Sequence, residues 1–337
     1  MTQKRILLVG AGAVGGITAV FLRKAGFDIT VLVRHPEIAE KIRTEGIRVQ
    51  GVAGNITATI NACSSVTGLR EPFDVVLLAT KANDVVEAIQ TVLPLSGERT
   101  LFVTMQNGIC EDDVAALTGR NRVVGCVVGW GATMLNPAEL VMTSGGEFVI
   151  GRLDGRVDDD LLYVRDMLQT ILPVEISANI YGNKYSKLII NSCITSLGAL
   201  SGLYLGNMLA RRKARMLFIA VIREAIAVAN AMQMQVEVYA GKINYYSMTG
   251  WKGWPGDFKR HMLIGAVGLK YRKLKSSSLQ SLERGKPTEI DYLNGYIVAK
   301  ARQYGVPVPV NDRIVEMIKE IESGKRGISV SNLYEIS

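Results

Sequence analysis

The sequence predicts a two-domain α/β protein, an N-terminal Rossmann doubly wound sheet followed by a C-terminal all-helical domain. Three observations carry that expectation. A glycine-rich turn, Gly10-x-Gly12-x-x-Gly15, stands between a short apolar run and a helical pattern. Short apolar runs then alternate with helical stretches, the order that builds a parallel sheet with helices on both faces. Beyond Pro173, long helical patterns take over. The length of 337 residues agrees, since one core rarely grows past about 250–300 residues. The expected division is 1–177 for the cofactor domain and 178–325 for a helical domain, with 326–337 as a loosely held tail.

Taken in order, Arg5–Val9 reads as a strand and the residues after Gly12 as a helix reaching Lys24. Residues 28–33 are rich in β-branched side chains and read as a second strand. Residues 74–79 (DVVLLA) have the continuous apolarity of a buried parallel strand. A helix is expected at 84–93, and strands at 101–104 and 122–128. Residues 140–150 alternate around Ser144-Gly145-Gly146, which suggests an antiparallel hairpin closing the sheet. The later helices are expected at 184–197, 208–232 and 289–304. Glycines, Pro255, Trp251 and Trp254 break the helical pattern over 241–257.

Two segments imitate membrane elements. Residues 6–22 follow Lys4 and Arg5 as a signal peptide would, but glycines at 10, 12, 15 and 16 favour strand, turn and helix. Residues 188–210 carry no charge, yet hold Asn191, Ser192, Thr195, Ser196, Ser201 and Asn207, so a buried helix pair is favoured over a span. No membrane partner is expected.

Composition narrows the function classes. Hydrophobic residues at 48% and charged residues at 21% exclude wholesale disorder, collagen and a disulfide-rich miniprotein. The 39 basic and 31 acidic residues leave a net charge of +8, which suits an anionic ligand. No basic stripe with interleaved aromatics is evident, so nucleic acid is not an expected partner. Two histidines and four cysteines without a C-x-x-C pair give no metal-site pattern. Widely spaced free cysteines suit a reducing cytoplasm.

The glycine turn is the first functional motif. Gly10 permits the tight turn, Gly12 the approach of a pyrophosphate, and Gly15 close packing of helix on strand. Ala13, Val14 and Gly15 open the helix, whose N-terminal amides and partial positive charge favour phosphate. After the second strand an NAD enzyme usually carries Asp or Glu for the ribose hydroxyls. Val33-Arg34-His35 stands there instead. Arg34 can grip a 2′-phosphate, and Lys81 could reach the same side, so NADP(H) is favoured.

A second constellation lies further along. Lys187 and Asn191 share one helical face at i, i+4, and Thr195 extends it by a turn. The spacing alone balances a functional lysine against one snorkelling to water. Lys184 is a rival, expected nearer solvent. Asn107 in Gln106-Asn107-Gly108 follows a strand, where ligands of open α/β sheets bind, though an Asn-Gly turn is common in any loop. Glu289 and Asp291 suit the first turn of a long helix. Ser276-Ser277-Ser278 reads as an N-cap or a carboxylate-binding cluster.

Together these pieces resemble the ketopantoate reductase (2-dehydropantoate 2-reductase) family over nearly the whole chain. The likeness lies in VGAGAVGG at the start, Arg34, Lys81 in ATKAND, Asn107 in QNG, KLIIN at 187–191 and SSSLQSLERGKPTEIDYLNG at 276–295. It implies an NADPH-dependent oxidoreductase that reduces 2-dehydropantoate to (R)-pantoate, a step toward pantothenate and coenzyme A. It implies Lys187 as general acid, with Asn191, Asn107 and Glu289 as its catalytic partners. Ser277, with Asn191, Thr195 and Glu289, would bind the substrate, and Arg34 and Lys81 the cofactor phosphate. Thr195 departs from a second asparagine often found there, which bears on which 2-oxo acid fits. A paralogous reductase or dehydrogenase for another 2-oxo or 2-hydroxy acid, and a non-catalytic NADP-binding regulator, remain alternatives. Long apolar faces in the helical domain suggest a homodimer, with a monomer left open.

Overall fold

A computed structural model describes residues 4–69 and 72–336. Met1, Thr2 and Gln3 of the expected cofactor domain, Arg70 and Glu71 within it, and Ser337 of the expected tail lie outside the described residues. The chain divides into two compact units, Met1–Lys184 and Tyr185–Ser337.

The first unit runs β1 (Arg5–Val9), α1 (Ala13–Lys24), β2 (Asp28–Leu32), α2 (Pro36–Thr44), β3 (Ile47–Gly51), β4 (Ile56–Ala58), β5 (Asn61–Cys63), β6 (Phe73–Leu78) and α3 (Val85–Val92). It continues with β7 (Ser96–Thr104), α4 (Glu111–Thr118), β8 (Val123–Val128), β9 (Gly131–Asn136), β10 (Glu139–Ser144), β11 (Phe148–Arg152), α5 (Asp159–Gln169) and β12 (Val174–Ile176). The unit ends inside α6 (Ile180–Ser201), whose later residues belong to the second unit.

The main sheet has the order β12-β11-β8-β7-β6-β1-β2-β5. From β5 to β8 every pairing is parallel, and β11 alone meets β8 antiparallel. The six parallel strands follow the order of a dinucleotide-binding sheet, with the chain reversing direction of travel at β1. Ile6, Leu8, Val31, Val75, Leu77 and Val103 are buried along these strands, as continuous apolarity demands for a sheet covered on both faces. A second sheet, β4-β3-β10-β9, packs on α1, which also touches β1 and β2. Gly16 of α1 stands against Leu140 and Ile47, where a methyl group would collide with the leucine.

The hairpin expected at 140–150 is not formed. β10 pairs with β9 in the second sheet, while β11 crosses to the main sheet and pairs with β8 and β12. Gly146 lies at the crossing, where a methyl group would overlap the Gly129 carbonyl, so no side chain fits.

The second unit contains the rest of α6, then α7 (Leu205–Ala210), α8 (Arg212–Ala231), α9 (Tyr245–Gly250), α10 (Gly253–Lys270), α11 (Ser277–Glu283), α12 (Asn294–Tyr304) and α13 (Pro309–Glu322). The pattern over 208–232 is two helices, broken where Arg211 turns extended. The pattern from 289 is also split: Ile290–Tyr292 forms a 3-10 turn and α12 starts at Asn294. The 241–257 loop is shorter than expected, because α10 already begins at Gly253 and takes Pro255 into its first turn, where a missing N–H costs nothing. The buried Arg260 guanidinium donates to the Met248 and Trp251 carbonyls, both at 2.8 Å, and pins that connection.

The expected tail is docked. Leu333 and Ile336 are fully buried, Lys213 donates to the Ile336 carbonyl at 2.6 Å, and Asn332 donates to the Leu200 carbonyl at 2.9 Å. Two apolar residues three apart were enough to anchor a segment whose polar composition reads as loose. No helix among the described residues is long and apolar enough to cross a membrane.

Candidate active site

The loops after β1, β6 and β7 meet at the carboxyl edge of the parallel sheet. Gly10 has φ +98, and a side chain there would press on Ala79 O and Thr80 N at 3.0 Å. The Gly10 N–H donates to Leu32 O at 2.9 Å, which closes the turn over the end of β2. At Gly15 a methyl group would overlap Gly10 O and approach the Ala79 methyl to 2.8 Å. Helix α1 can therefore start directly under the strand edge. Gly12, its N-cap, faces open space, and no side chain caps the helix. The first-turn amides of Ala13, Val14 and Gly15 have no partner within the helix by geometry.

Arg34 stands past the end of β2 and is exposed. Its guanidinium lies 3.5 Å from the Asp84 carboxylate and 3.7 Å from that of Glu87. Lys81, half-buried, caps the 3-10 turn containing Asp84. The structure thus brings Arg34 and the Lys81 segment to one corner.

Beyond β7, Gln106 is buried and Asn107 half-buried. The Gln106 side-chain amide donates to Thr80 Oγ1 at 3.4 Å. Its carbonyl accepts from Lys184 Nζ at 3.0 Å. Lys184 is not nearer solvent, as expected from sequence, but 3% exposed. It forms an ion pair of 2.7 Å with Glu111, which is fully buried, and donates to Cys126 O at 3.4 Å. Glu111 also accepts from Thr104 Oγ1 at 2.6 Å and Cys110 N at 3.0 Å. Burial alone would pull the Lys184 ammonium down; the Glu111 carboxylate, aided by Cys110, outweighs it and holds the group above the ordinary lysine value. An ammonium so sealed keeps its proton. Sequence reasoning missed Glu111, because a carboxylate in a helix's first turn has a sufficient local explanation in the helix dipole.

In the second unit, α6 sets Lys187, Asn191 and Thr195 four residues apart on one face, the first two half-buried and Thr195 buried. The Thr195 hydroxyl donates to the Asn191 carbonyl at 2.8 Å. Ser276, the N-cap of α11, donates to the Thr195 carbonyl at 3.2 Å and rests against Gly198 of α6. This packing brings the start of α11 to the Thr195 turn, with Ser277 exposed beside it. Glu289 is half-buried and caps the 3-10 turn rather than opening the long helix. Its segment is held by Thr288, whose N–H and hydroxyl both donate to Glu322 Oε1 at 2.7 Å.

A buried polar chain fixes this arrangement, and sequence reasoning missed it. Ser196 of α6 donates to Asn294 of α12, Asn294 to Asn311 of α13 at 2.9 Å, and Asn311 to Glu224 of α8 at 2.7 Å. Asn294 and Asn311 are fully buried. A lone asparagine in a helix gives no signal of its partner; only the fold pairs them.

Residues 6–155 match the family model described as ketopantoate reductase PanE/ApbA, and residues 179–322 the model of its C-terminal region. The chain belongs to the ketopantoate reductase family. As a ketopantoate reductase family member it is an oxidoreductase, and its Rossmann-type unit implies a nicotinamide cofactor. It is 28% identical to the 2-dehydropantoate 2-reductase of Aquifex aeolicus, over 94% of this chain and 97% of that one. A PanE/ApbA family ketopantoate reductase structure from Ralstonia eutropha JMP134 is 25% identical, with a TM-score of 0.81 over 96% of this chain and all of that one. A ternary structure of D-mandelate dehydrogenase with NADH and anilino(oxo)acetate shares the fold, with a TM-score of 0.80 at 19% identity over 95% of this chain and 99% of that one.

The residues present fit such a cofactor. The uncapped N-terminus of α1 lies beside a glycine facing open space, which is room and polarity for a pyrophosphate. Among the described residues, no group of three or more His, Cys, Asp or Glu is placed to hold a metal ion.

Proposed function

We propose that this ketopantoate reductase family member reduces 2-dehydropantoate to (R)-pantoate with NADPH, in the cytoplasmic route to pantothenate and coenzyme A. The observation that carries the reading is the contrast between the two lysines of α6. Lys184 is sealed in an ion pair, whereas Lys187 stands half-buried on the face shared with Asn191. The contrast supports Lys187, rather than Lys184, as the general acid in this reading. The name of the Aquifex aeolicus relative supports the choice of substrate.

Residues 1–177 carry the cofactor in this reading, and 178–325 the substrate groups. Gly10, Gly12, Ala13, Val14 and Gly15 cradle the pyrophosphate, and Arg34 and Lys81 take the 2′-phosphate. NADPH, when bound, supplies a hydride to C2 of the oxo acid. Lys187 stabilises the charge growing on the carbonyl oxygen and gives it a proton. Asn191 and Asn107 orient the reacting carbonyl, Glu289 holds the lysine and the substrate hydroxyl in register, and Ser277 binds the carboxylate with Thr195 nearby.

One observation favours a second reading, reduction of a different 2-oxo acid. The Thr195 hydroxyl proton is committed to the Asn191 carbonyl, so Thr195 offers substrate an acceptor where an asparagine would offer both donor and acceptor. Homodimer formation is part of the proposal, on the exposed Trp254, Phe258 and Met262 of α10, and the mass in solution tests it. The functional test is NADPH oxidation with 2-dehydropantoate and a panel of bulkier 2-oxo acids. Preferred turnover of 2-dehydropantoate supports the reading, preference for another acid replaces the substrate, and NADPH binding without turnover would leave a regulator.

A further inference from the structure

Among the described residues, the first unit buries one ion pair completely, and the proposed chemistry does not use it. Lys184 and Glu111 are 73 positions apart in sequence and meet at 2.7 Å, with side chains 2% and 0% exposed. Such a pair is a poor source of stability, because desolvation of both charges offsets most of their attraction. Its hydrogen bonds show what it does hold. The ammonium reaches the Gln106 carbonyl at 3.0 Å and the Cys126 carbonyl at 3.4 Å, the latter on β8. The carboxylate gathers the Thr104 hydroxyl at the end of β7 and the Cys110 N–H at the start of α4. Gln106 passes the constraint on, through its amide to Thr80 and its Oε1, which accepts from Cys110 Sγ at 3.6 Å. Thr80 N lies against Gly10 of the glycine turn.

We propose that Lys184, held by Glu111, is a positioning residue that fixes the turn of residues 106–108 and with it the Asn107 side chain. The proposal rests on the reading of Asn107 as part of the reaction centre. The turn leaves β7 between two anchored points: Thr104 bonded to the carboxylate before it, and Cys110 bonded to the same carboxylate after it. The ammonium fixes the peptide immediately ahead of Asn107 from the side of α6. The raised affinity of Lys184 for its proton keeps the bonds that its ammonium donates charge-assisted across neutral pH.

The test separates positioning from stability. Lys184→Met leaves a buried carboxylate unpaired, so its loss of activity alone decides nothing. In the double variant Lys184→Met with Glu111→Leu, both charges are gone and the fold regains an apolar contact. We expect its thermal midpoint to return toward wild type while kcat stays about 10- to 100-fold low, with KM for NADPH changed far less. A double variant with wild-type kcat would overturn the proposal. Glu111→Gln, which preserves shape, keeps the question open to test should the double variant not fold: a several-fold lower kcat is expected, and an unchanged kcat overturns the proposal. If wild-type protein bound NADPH but reduced no 2-oxo acid, the functional reading would fall separately. The turn is then read from the emission of bound NADPH, which the double variant shifts if Lys184 positions residues 106–108 and leaves alone if it does not.

Discussion

The guanidinium of Arg34 lies 3.5 Å from the carboxylate of Asp84, both exposed to water. An exposed pair of this kind is worth about 0–1 kcal/mol, so it is readily exchanged for a better anion. A dianionic 2′-phosphate is such an anion, and Arg34 stands where an NAD enzyme would carry a carboxylate.

Arg34→Glu therefore removes the phosphate contact and adds a third carboxylate beside Asp84 and Glu87. Binding of NADPH should weaken about 10- to 100-fold, the value of one or two charge-assisted hydrogen bonds. Binding of NADH, which lacks the phosphate, should change little. Fluorescence titration with both cofactors checks this, and equal weakening would refute the phosphate assignment.

Asn294→Ala breaks the buried chain from Ser196 to Glu224 at its middle. The hydroxyl of Ser196 loses its acceptor and Asn311 Oδ1 its donor, both in the interior. The expected cost is about 2–4 kcal/mol, combining two unsatisfied groups with a small void. Denaturant unfolding would show a lower midpoint; an unchanged midpoint would mean the chain is not structural.

Asp158 caps α5 and pairs with the buried Arg152 at 2.9 Å. Burial would raise the Asp158 carboxyl, but the Leu161 N–H and the Arg152 guanidinium outweigh it and hold it below the ordinary carboxylate value. A group depressed in the folded state contributes stability that is present above its unfolded value and lost as pH falls through its folded value. Asp158→Asn should thus be destabilised at neutral pH and should approach wild type as acid removes the wild-type advantage. Unfolding free energies across the acid range check it, and a constant difference at every pH would contradict it.

Much of this was readable from local pattern. The strand β1, the glycine turn and α1 are encoded by continuous apolarity followed by glycines at fixed spacing, and each residue's role is satisfied within its own segment. The parallel strands β6 and β8 were legible for the same reason. What was not legible depends on partners distant in sequence. Phe148 and Val149 read equally well in a hairpin with Leu140 or in the main sheet, and only the pairing with β8 decides. Lys184 read as a solvent-facing lysine because nothing near it in sequence announces Glu111. The docking of Leu333 and Ile336 depends on apolar space left by other helices. At the proposed site positions, the types and spacing of Lys187, Asn191 and Asn107 were legible, whereas the packing of Ser276, Asn294 and Lys184 around them was not.

In the proposed reaction Lys187 gives the proton, while Lys184 keeps its own in the ion pair with Glu111. The most direct measurement is NADPH oxidation with 2-dehydropantoate, followed by absorbance, in wild type and in Lys187→Ala at matched cofactor occupancy. Loss of a general acid that also stabilises the oxyanion should lower kcat by at least about 100-fold while NADPH still binds. Turnover by Lys187→Ala at the wild-type rate would contradict the mechanism.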